Sequence, residues 1–311
     1  MTTSFDLIQA LVENVGRVIV GKDAVVRLVV GAMLSRGHVL LEDKPGVGKT
    51  VLARALAKSV DCSFKRIQCT PDLLPVDITG YVDYRAQAFK QGPVFANLVL
   101  ADELNRATPR TQSALLEAMG ERQVSLDGTT HLLPDPFFVI ATQNPVEHRG
   151  VNDLPEAQLD RFQMLLSLDY ASAEEEKRLT LARRQADPLE TLAPVMSAAQ
   201  LRDVLAAVPE VQIKEQLVDY AVALVRATRQ SKLLEIGAST RSILQLVRLA
   251  QAHALVQGRT YVIPDDIKAL AHLVLPHRVT PASASSDSMS ATQWKQECVR
   301  RILADVKPPD S

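Results

Sequence analysis

Apolar and polar positions change their period along the chain. From about residue 23 to residue 180, helical stripes alternate with short continuous apolar runs. Asp23–Arg36 sets Val26, Val29, Val30 and Met33 three to four residues apart, which predicts a helix stopped by Gly37. His38–Glu42 predicts a short buried strand, and Val51–Val60 the helix after it. Asn97–Ala101, Phe137–Thr142 and Phe162–Leu168 are further strand-like runs. Thr108-Pro109 opens another helix as N-cap and first residue, with Ala114, Leu115, Ala118 and Met119 on its buried side. Strands alternating with helices predict an α/β fold, a parallel sheet covered on both faces.

From about Ala173 the pattern is mostly helical. Ser197–Val208 opens with a capping box of Ser197 and Gln200, and Glu215–Arg229, Thr240–Val256 and Pro264–Leu275 follow. Two domains are expected: an α/β unit over 1–172 and an all-α unit over 173–311. The Ser/Ala-rich stretch 281–292 reads as a mobile loop, and Trp294–Leu303 as a last docked helix. Two excursions interrupt the first unit. Residues 81–93 suit a protruding insertion, and residues 123–133 hold two β-like arms around Asp127-Gly128, a hairpin signal.

The chemistry concentrates at strand ends. Glu42-Asp-Lys-Pro-Gly-Val-Gly-Lys-Thr50 lies between a strand and a helix, the context of a phosphate-binding loop. Pro45, Gly46, Val47 and Gly48 would curl the backbone so that its N–H groups face phosphate oxygens. The following helix, through Val51, offers its positive end. Lys49 can reach the β- and γ-phosphates, and Thr50 can ligate Mg²⁺. Asp43 stands where the motif has its first glycine; pointed inward, it would repel phosphate. Leu98–Glu103 delivers two carboxylates at a strand end. Asp102 suits Mg²⁺, through water, and Glu103 suits polarising an attacking water.

Three weaker signals follow. Asn144 ends the apolar run Phe138–Gln143 and can hydrogen-bond a γ-phosphate, though an asparagine there is more often a turn residue. Arg161 follows a short helix and can project toward a neighbouring subunit; its local alternative is an ion pair with Asp160 or Glu156. Arg241, in Gly237-Ala-Ser-Thr-Arg-Ser242, can reach back to nucleotide or simply be solvated in a first helical turn.

Composition narrows the setting. The 35 basic and 36 acidic residues nearly cancel and aromatics are 4%, which disfavours a dedicated nucleic-acid binder. No stretch free of charged residues exceeds 11 residues, too short for a membrane-spanning helix. The N-terminus has no secretory pattern. Cys62, Cys69 and Cys298 have no metal or redox spacing, and the six histidines form no zinc pattern. A reduced, cytoplasmic setting is expected.

Together these segments resemble an AAA+ ATPase, and more closely the MoxR family, in the clade shared with magnesium-chelatase motor subunits. The resemblance spans about residues 15 to 278. It is carried by Val18-Ile-Val-Gly-Lys22, the 40–50 loop, Thr70–Gly80, Gly92–Ala107, Gln112–Met119, Ala141–Gly150, Leu154–Phe162 and Gly237–Ser242. It implies that Lys49 and Thr50 are the Walker A pair and Asp102 and Glu103 the Walker B pair. Asn144 would be sensor 1, Arg161 a trans-acting arginine finger, Arg241 sensor 2, and Val20 and Gly21 the segment against adenine. An acidic residue at position 43 is common in the family; the chain from about 281 matches it less well. The implied activity is Mg²⁺-dependent ATP hydrolysis between subunits of a hexameric ring. The implied role is chaperone-like remodelling or activation of a client protein, including partners with von Willebrand factor A domains. A nucleotide switch with little turnover and a nucleic-acid-directed motor remain alternatives on the same fold.

Overall fold

Five parallel strands in the order β2-β5-β8-β1-β9 form the centre of the computed structural model. It describes residues 3–44, 46–144, 152, 154–183, 187–283 and 289–309. The chain opens with α1 (Ser4–Gly16) and α2 (Asp23–Leu34). β1 (Val39–Glu42) passes through the phosphate loop into α3 (Lys49–Ser59), and β2 (Phe64–Gln68) follows. The short α4 (Pro75–Thr79) leads into the hairpin β3 (Gly80–Asp83) and β4 (Ala88–Gln91). Next come β5 (Leu98–Asp102), α5 (Pro109–Glu121) and the hairpin β6 (Gln123–Leu126) and β7 (Thr129–Leu132). β8 (Phe138–Gln143), α6 (Glu156–Leu159) and β9 (Met164–Leu166) complete the sheet.

The remaining elements are α7 (Ala173–Arg183), α8 (Ala198–Ala207), α9 (Glu215–Gln230), β10 (Leu234–Ile236) and α10 (Thr240–Val256). α11 (Pro264–Val274), β11 (Thr280–Pro281) and α12 (Ala291–Ala304) end the chain. Among the described residues, no helix is long and apolar enough to cross a membrane.

Successive residues of β1 point to opposite faces, as the two-residue period of a strand requires. Val39 and Leu41 enter one core with α1, α2, α3 and the later helices, while Leu40 enters the other with α5. Burial on both faces makes β1 a continuous apolar run. β1 lies between β8 and β9, so the chain leaves β1 for the far side of the sheet and returns beside it later. That reversal opens a crevice at the C-terminal strand ends, where open α/β sheets bind ligands.

Four features differ from the sequence reading. β2 was not expected, because its Phe-Lys-Arg-Ile-Gln is an edge strand with only Ile67 buried; charge on an edge discourages pairing with other chains. α1 was not expected either; Thr3 and Asp6 cap it, and Ile8, Leu11, Val12 and Val15 pack it. The run Phe162–Leu168 pairs as a strand only over Met164–Leu166. Gln163 bonds Ser35 and the Gln245 carbonyl with its side chain, and the Leu168 N–H is taken by Asp43. The stretch 281–292 is not one loop. Pro281 belongs to β11, paired with β10, and Ala291 and Thr292 already belong to α12, capped by Ser290 and Gln293. Residues 284–288 lie outside the described ones.

Candidate nucleotide site

The phosphate loop joins β1 to α3. Gly46 (φ 85°) and Gly48 (φ 102°) sit in the left-handed region, which a side chain would strain, and their surroundings are otherwise open. Pro45 lies outside the described residues. Lys49 is the first residue of α3 and donates from Nζ to the Asp43 carbonyl at 2.8 Å. Burial pulls its pKa below the usual lysine value, against the opposing charges of Asp43, Asp102 and Glu103. The ammonium is thus held at the loop beside carboxylates, where a polyphosphate would compete for it.

Asp102 is the last residue of β5 and is buried. The Thr50 hydroxyl lies 3.4 Å from its Oδ2, and the Thr142 hydroxyl donates to its Oδ1 at 2.7 Å. Arg66 on β2 donates twice to Asp102 Oδ2, at 2.7 and 3.2 Å. Sequence reasoning missed Arg66 and Thr142. They belong to separate strands that flank β5, so only the pairing of β2 and β8 with β5 brings them to Asp102. A hydroxyl and a carboxylate this close are hard oxygen donors that fit Mg²⁺, provided Arg66 yields Oδ2.

Glu103 adopts a left-handed conformation (φ 57°) just past β5. Its N–H donates to Thr142 Oγ1 at 2.9 Å, and its carboxylate accepts from Gln68 at 2.9 Å and Arg106 at 3.1 Å. The turn aims the carboxylate along the strand ends rather than into the core. Asn144 is buried directly after β8, and its carbonyl accepts from Asn105. The rest of its motif, residues 145–150, lies outside the described residues.

Asp43 does not point into the loop. Its buried carboxylate accepts from Ser167 Oγ at 2.8 Å and from the N–H groups of Leu168 and Asp169. The condition for repelling phosphate, a carboxylate pointed inward, is therefore not met. Gly21 (φ 77°) and Val20 precede α2, and a Cβ on Gly21 would strike the Glu175 carboxylate of α7.

The two distal arginines have different partners. Arg161 donates to the Leu116 carbonyl of α5 at 2.9 Å, not to Asp160 or Glu156. Arg241 sits 3.6 Å from Asp160, the residue next to Arg161. Asp160 is also bound at 2.8 Å by Arg278, whose side chain is 1% exposed. Glu156 is held instead by Lys295 at 3.0 Å and by Thr280.

The two excursions also meet. Tyr84 in the first donates to Asp127 in the second at 2.6 Å, and the rings of Phe89 and His131 stack at 4.0 Å. Around this junction Tyr81, Tyr84 and Leu132 are exposed.

Comparison with known proteins agrees with this geometry. Residues 38–164 match the ATPase family associated with various cellular activities (AAA), and residues 226–297 match the AAA lid domain. The chain is 47% identical to the uncharacterized protein YeaC of Bacillus subtilis, over 97% of this chain and 95% of that protein. It is 42% identical to chaperone MoxR1 of Mycobacterium tuberculosis, over 95% of this chain and 81% of that one. A crystal structure of a candidate ATPase from Cytophaga hutchinsonii superposes with a TM-score of 0.89 at 36% identity, covering 99% of this chain and 96% of the other. With an α/β core, a helical lid and relatives of this closeness, the chain belongs to the MoxR family of AAA+ ATPases.

Proposed function

We propose that this protein hydrolyses ATP at sites shared between subunits of a hexameric ring and uses the cycle to remodel or activate a client protein. The observation that carries the reading is the meeting of two separate motifs: Thr50, one residue after Lys49, lies 3.4 Å from Asp102, the neighbour of Glu103. Lys49 binds the β- and γ-phosphates, and the loop amides cradle them. Thr50, with Asp102 through water, holds Mg²⁺, which when bound neutralises phosphate charge. Glu103 polarises the attacking water, and Asn144 contacts the γ-phosphate or that water. Val20 and Gly21 lie along the adenine.

Arg161 serves the site of the adjacent subunit, where it stabilises charge on the γ-phosphate, and Arg241 reaches back to the nucleotide and couples the two domains. The core is residues 1–172 and the lid 173–311. The joined hairpins, with exposed Tyr81, Tyr84 and Leu132, are the client-facing surface. Clients with von Willebrand factor A domains are the class the family resemblance favours, and the setting is cytoplasmic. The near balance of charge argues against nucleic acid as the client.

The test is Mg²⁺-ATP turnover per protomer across protein concentrations. It should rise with concentration and saturate. Glu103→Gln and Arg161→Ala proteins, each inactive alone, should regain partial turnover when mixed, because a mixed interface joins an intact Glu103 to an intact Arg161. Flat turnover and no complementation would refute the shared site and leave a nucleotide switch.

A further inference from the structure

The first residue of the phosphate loop is tied to the start of the segment that leads from the sheet to the helical region. Asp43 continues the β1 ladder, its N–H donating to the Gln143 carbonyl at 3.3 Å. Its carboxylate then accepts three donors from just past β9: Ser167 Oγ, Leu168 N–H and Asp169 N–H. Asp169 is left-handed (φ 53°), an unfavourable conformation for a residue with a side chain, and Ser167 Oγ braces it further.

Tyr170 follows, and both of its ends are held by nucleotide-site segments. Lys44 of the loop lies 5.1 Å from the centre of its ring, and Lys22, next to Gly21, donates to its carbonyl at 3.0 Å. Ser172 then caps the turn that carries Glu175 onto Gly21. Residues 167–175 are thus fastened at successive points to the two segments that would hold phosphate and adenine.

Asp43 is fastened on its other side too, because Lys49 donates to its carbonyl at 2.8 Å. A polyphosphate would engage the remaining N–H groups of the same ammonium, which carries three, and so change its pull on that carbonyl. The same residue therefore feels occupancy of the loop through its main chain and grips the linker through its side chain. Glycine, at the first position of the general motif, has no side chain for that grip.

We propose that Asp43 is a positioning residue that couples occupancy of the phosphate loop to the 167–170 linker, and through it to the helical region. The proposal rests on the ATPase reading above. Coupling of this kind requires a contact whose state both sites bias, and the Asp43 carboxylate with the Leu168 and Asp169 amides is such a contact. Asparagine in its place keeps the size but replaces one acceptor oxygen with an N–H₂ that opposes the backbone donors.

The test is amide hydrogen exchange over residues 163–172, with and without a non-hydrolysable ATP analogue and Mg²⁺. Saturation is set from the dissociation constant of each protein. In the wild-type chain the analogue should change exchange in this segment by about fivefold or more. In Asp43→Asn the segment should exchange faster without nucleotide, and the change on binding should fall below about twofold. kcat should drop more than KM shifts. Ser167→Ala, which removes one donor to the carboxylate, should lie between the two and serves if Asp43→Asn does not fold. An unchanged nucleotide response in either variant, or none in the wild-type chain with analogue bound, overturns the coupling alone. No analogue binding in the wild-type chain overturns the ATPase reading and this inference with it.

Discussion

Replacing Arg278 by alanine should destabilise the protein by about 4 kcal/mol, within the range of roughly 3–5 for breaking a buried ion pair. The side chain is 1% exposed and its guanidinium is shared by core and helical region. It donates to Asp160 at 2.8 Å, to the Gln163 carbonyl at 3.2 Å, and to Phe162, Val274 and Gln245. Burial lowers its pKa to about 10 even with Asp160 beside it, still far above neutral pH, so the group is charged. Truncation removes every one of these bonds. Among the described residues, Asp160 keeps the longer contact with Arg241 at 3.6 Å, and three carbonyls and an amide oxygen lose this donor. The losses are not additive, because the groups relax together, which is why the expected cost is that of one broken pair rather than five bonds.

Urea denaturation followed by circular dichroism and by the single tryptophan, Trp294, measures the cost. The melting temperature should fall by roughly 8–16 °C, at about 2–4 °C per kcal/mol for a chain of this order of size. Arg278→Lys should recover only part of the loss, since an ammonium cannot reproduce the fork. Arg300→Ala, which removes an exposed arginine paired with Glu297 of the same helix, should leave the melting temperature unchanged and serves as the control. A loss below about 1 kcal/mol in Arg278→Ala would refute the reasoning, since it would mean the pair is not desolvated.

Three further outcomes follow from particular contacts. His38 is buried with Nδ1 accepting from Val139 N–H at 3.0 Å, and burial holds its pKa at about 4, while the unfolded chain titrates near 6.5. The unfolded state therefore binds the extra proton first, and stability falls as pH drops from 6.5 toward 4, by about 2 kcal/mol at pH 5; urea melts of His38→Gln should lack that part of the slope. Gly120→Ala would set a Cβ 2.0 Å from Arg161 Nη1, the far end of a flexible chain. Thermal melting should show stability within about 1 kcal/mol of wild type, because alanine favours the helix, while the concentration-dependent turnover changes because Arg161 leaves the Leu116 carbonyl; unchanged turnover would argue against a role for Arg161. Arg66→Ala should lower the Mg²⁺ concentration for half-maximal turnover by about threefold or more, since the guanidinium no longer competes for Asp102 Oδ2; an unchanged Mg²⁺ titration would mean that Arg66 does not compete.

Much of the candidate site is legible in the sequence, because its motifs are local. Gly46 to Thr50 is one continuous turn into a helix, and Asp102-Glu103 is one strand end. Strand and helix types followed from apolar spacing, to within a few residues at most ends. The misses share a cause. β2 carries Lys65 and Arg66 because it is an edge strand, and edge position is a property of the whole sheet. The start of α12 was hidden because its cap, Ser290, and the Ala291 and Thr292 of its first turn read as part of the Ser/Ala-rich stretch.

By itself, then, the sequence determined the α/β core, the helical region after it, and the place of the glycine-rich loop and the Asp102-Glu103 pair at strand ends. Such features depend on neighbours a few positions apart, and short-range backbone geometry is enough to specify them. Only the tertiary structure decided which distant groups meet. Asp43 turns to residues more than 120 positions away, Arg66 reaches Asp102 across a strand pair, Arg161 turns to the Leu116 carbonyl, and Arg241 meets an aspartate anchored by a buried arginine. Those meetings are set by strand order and by packing of the helical region on the core, long-range choices that leave no periodic mark along a single chain.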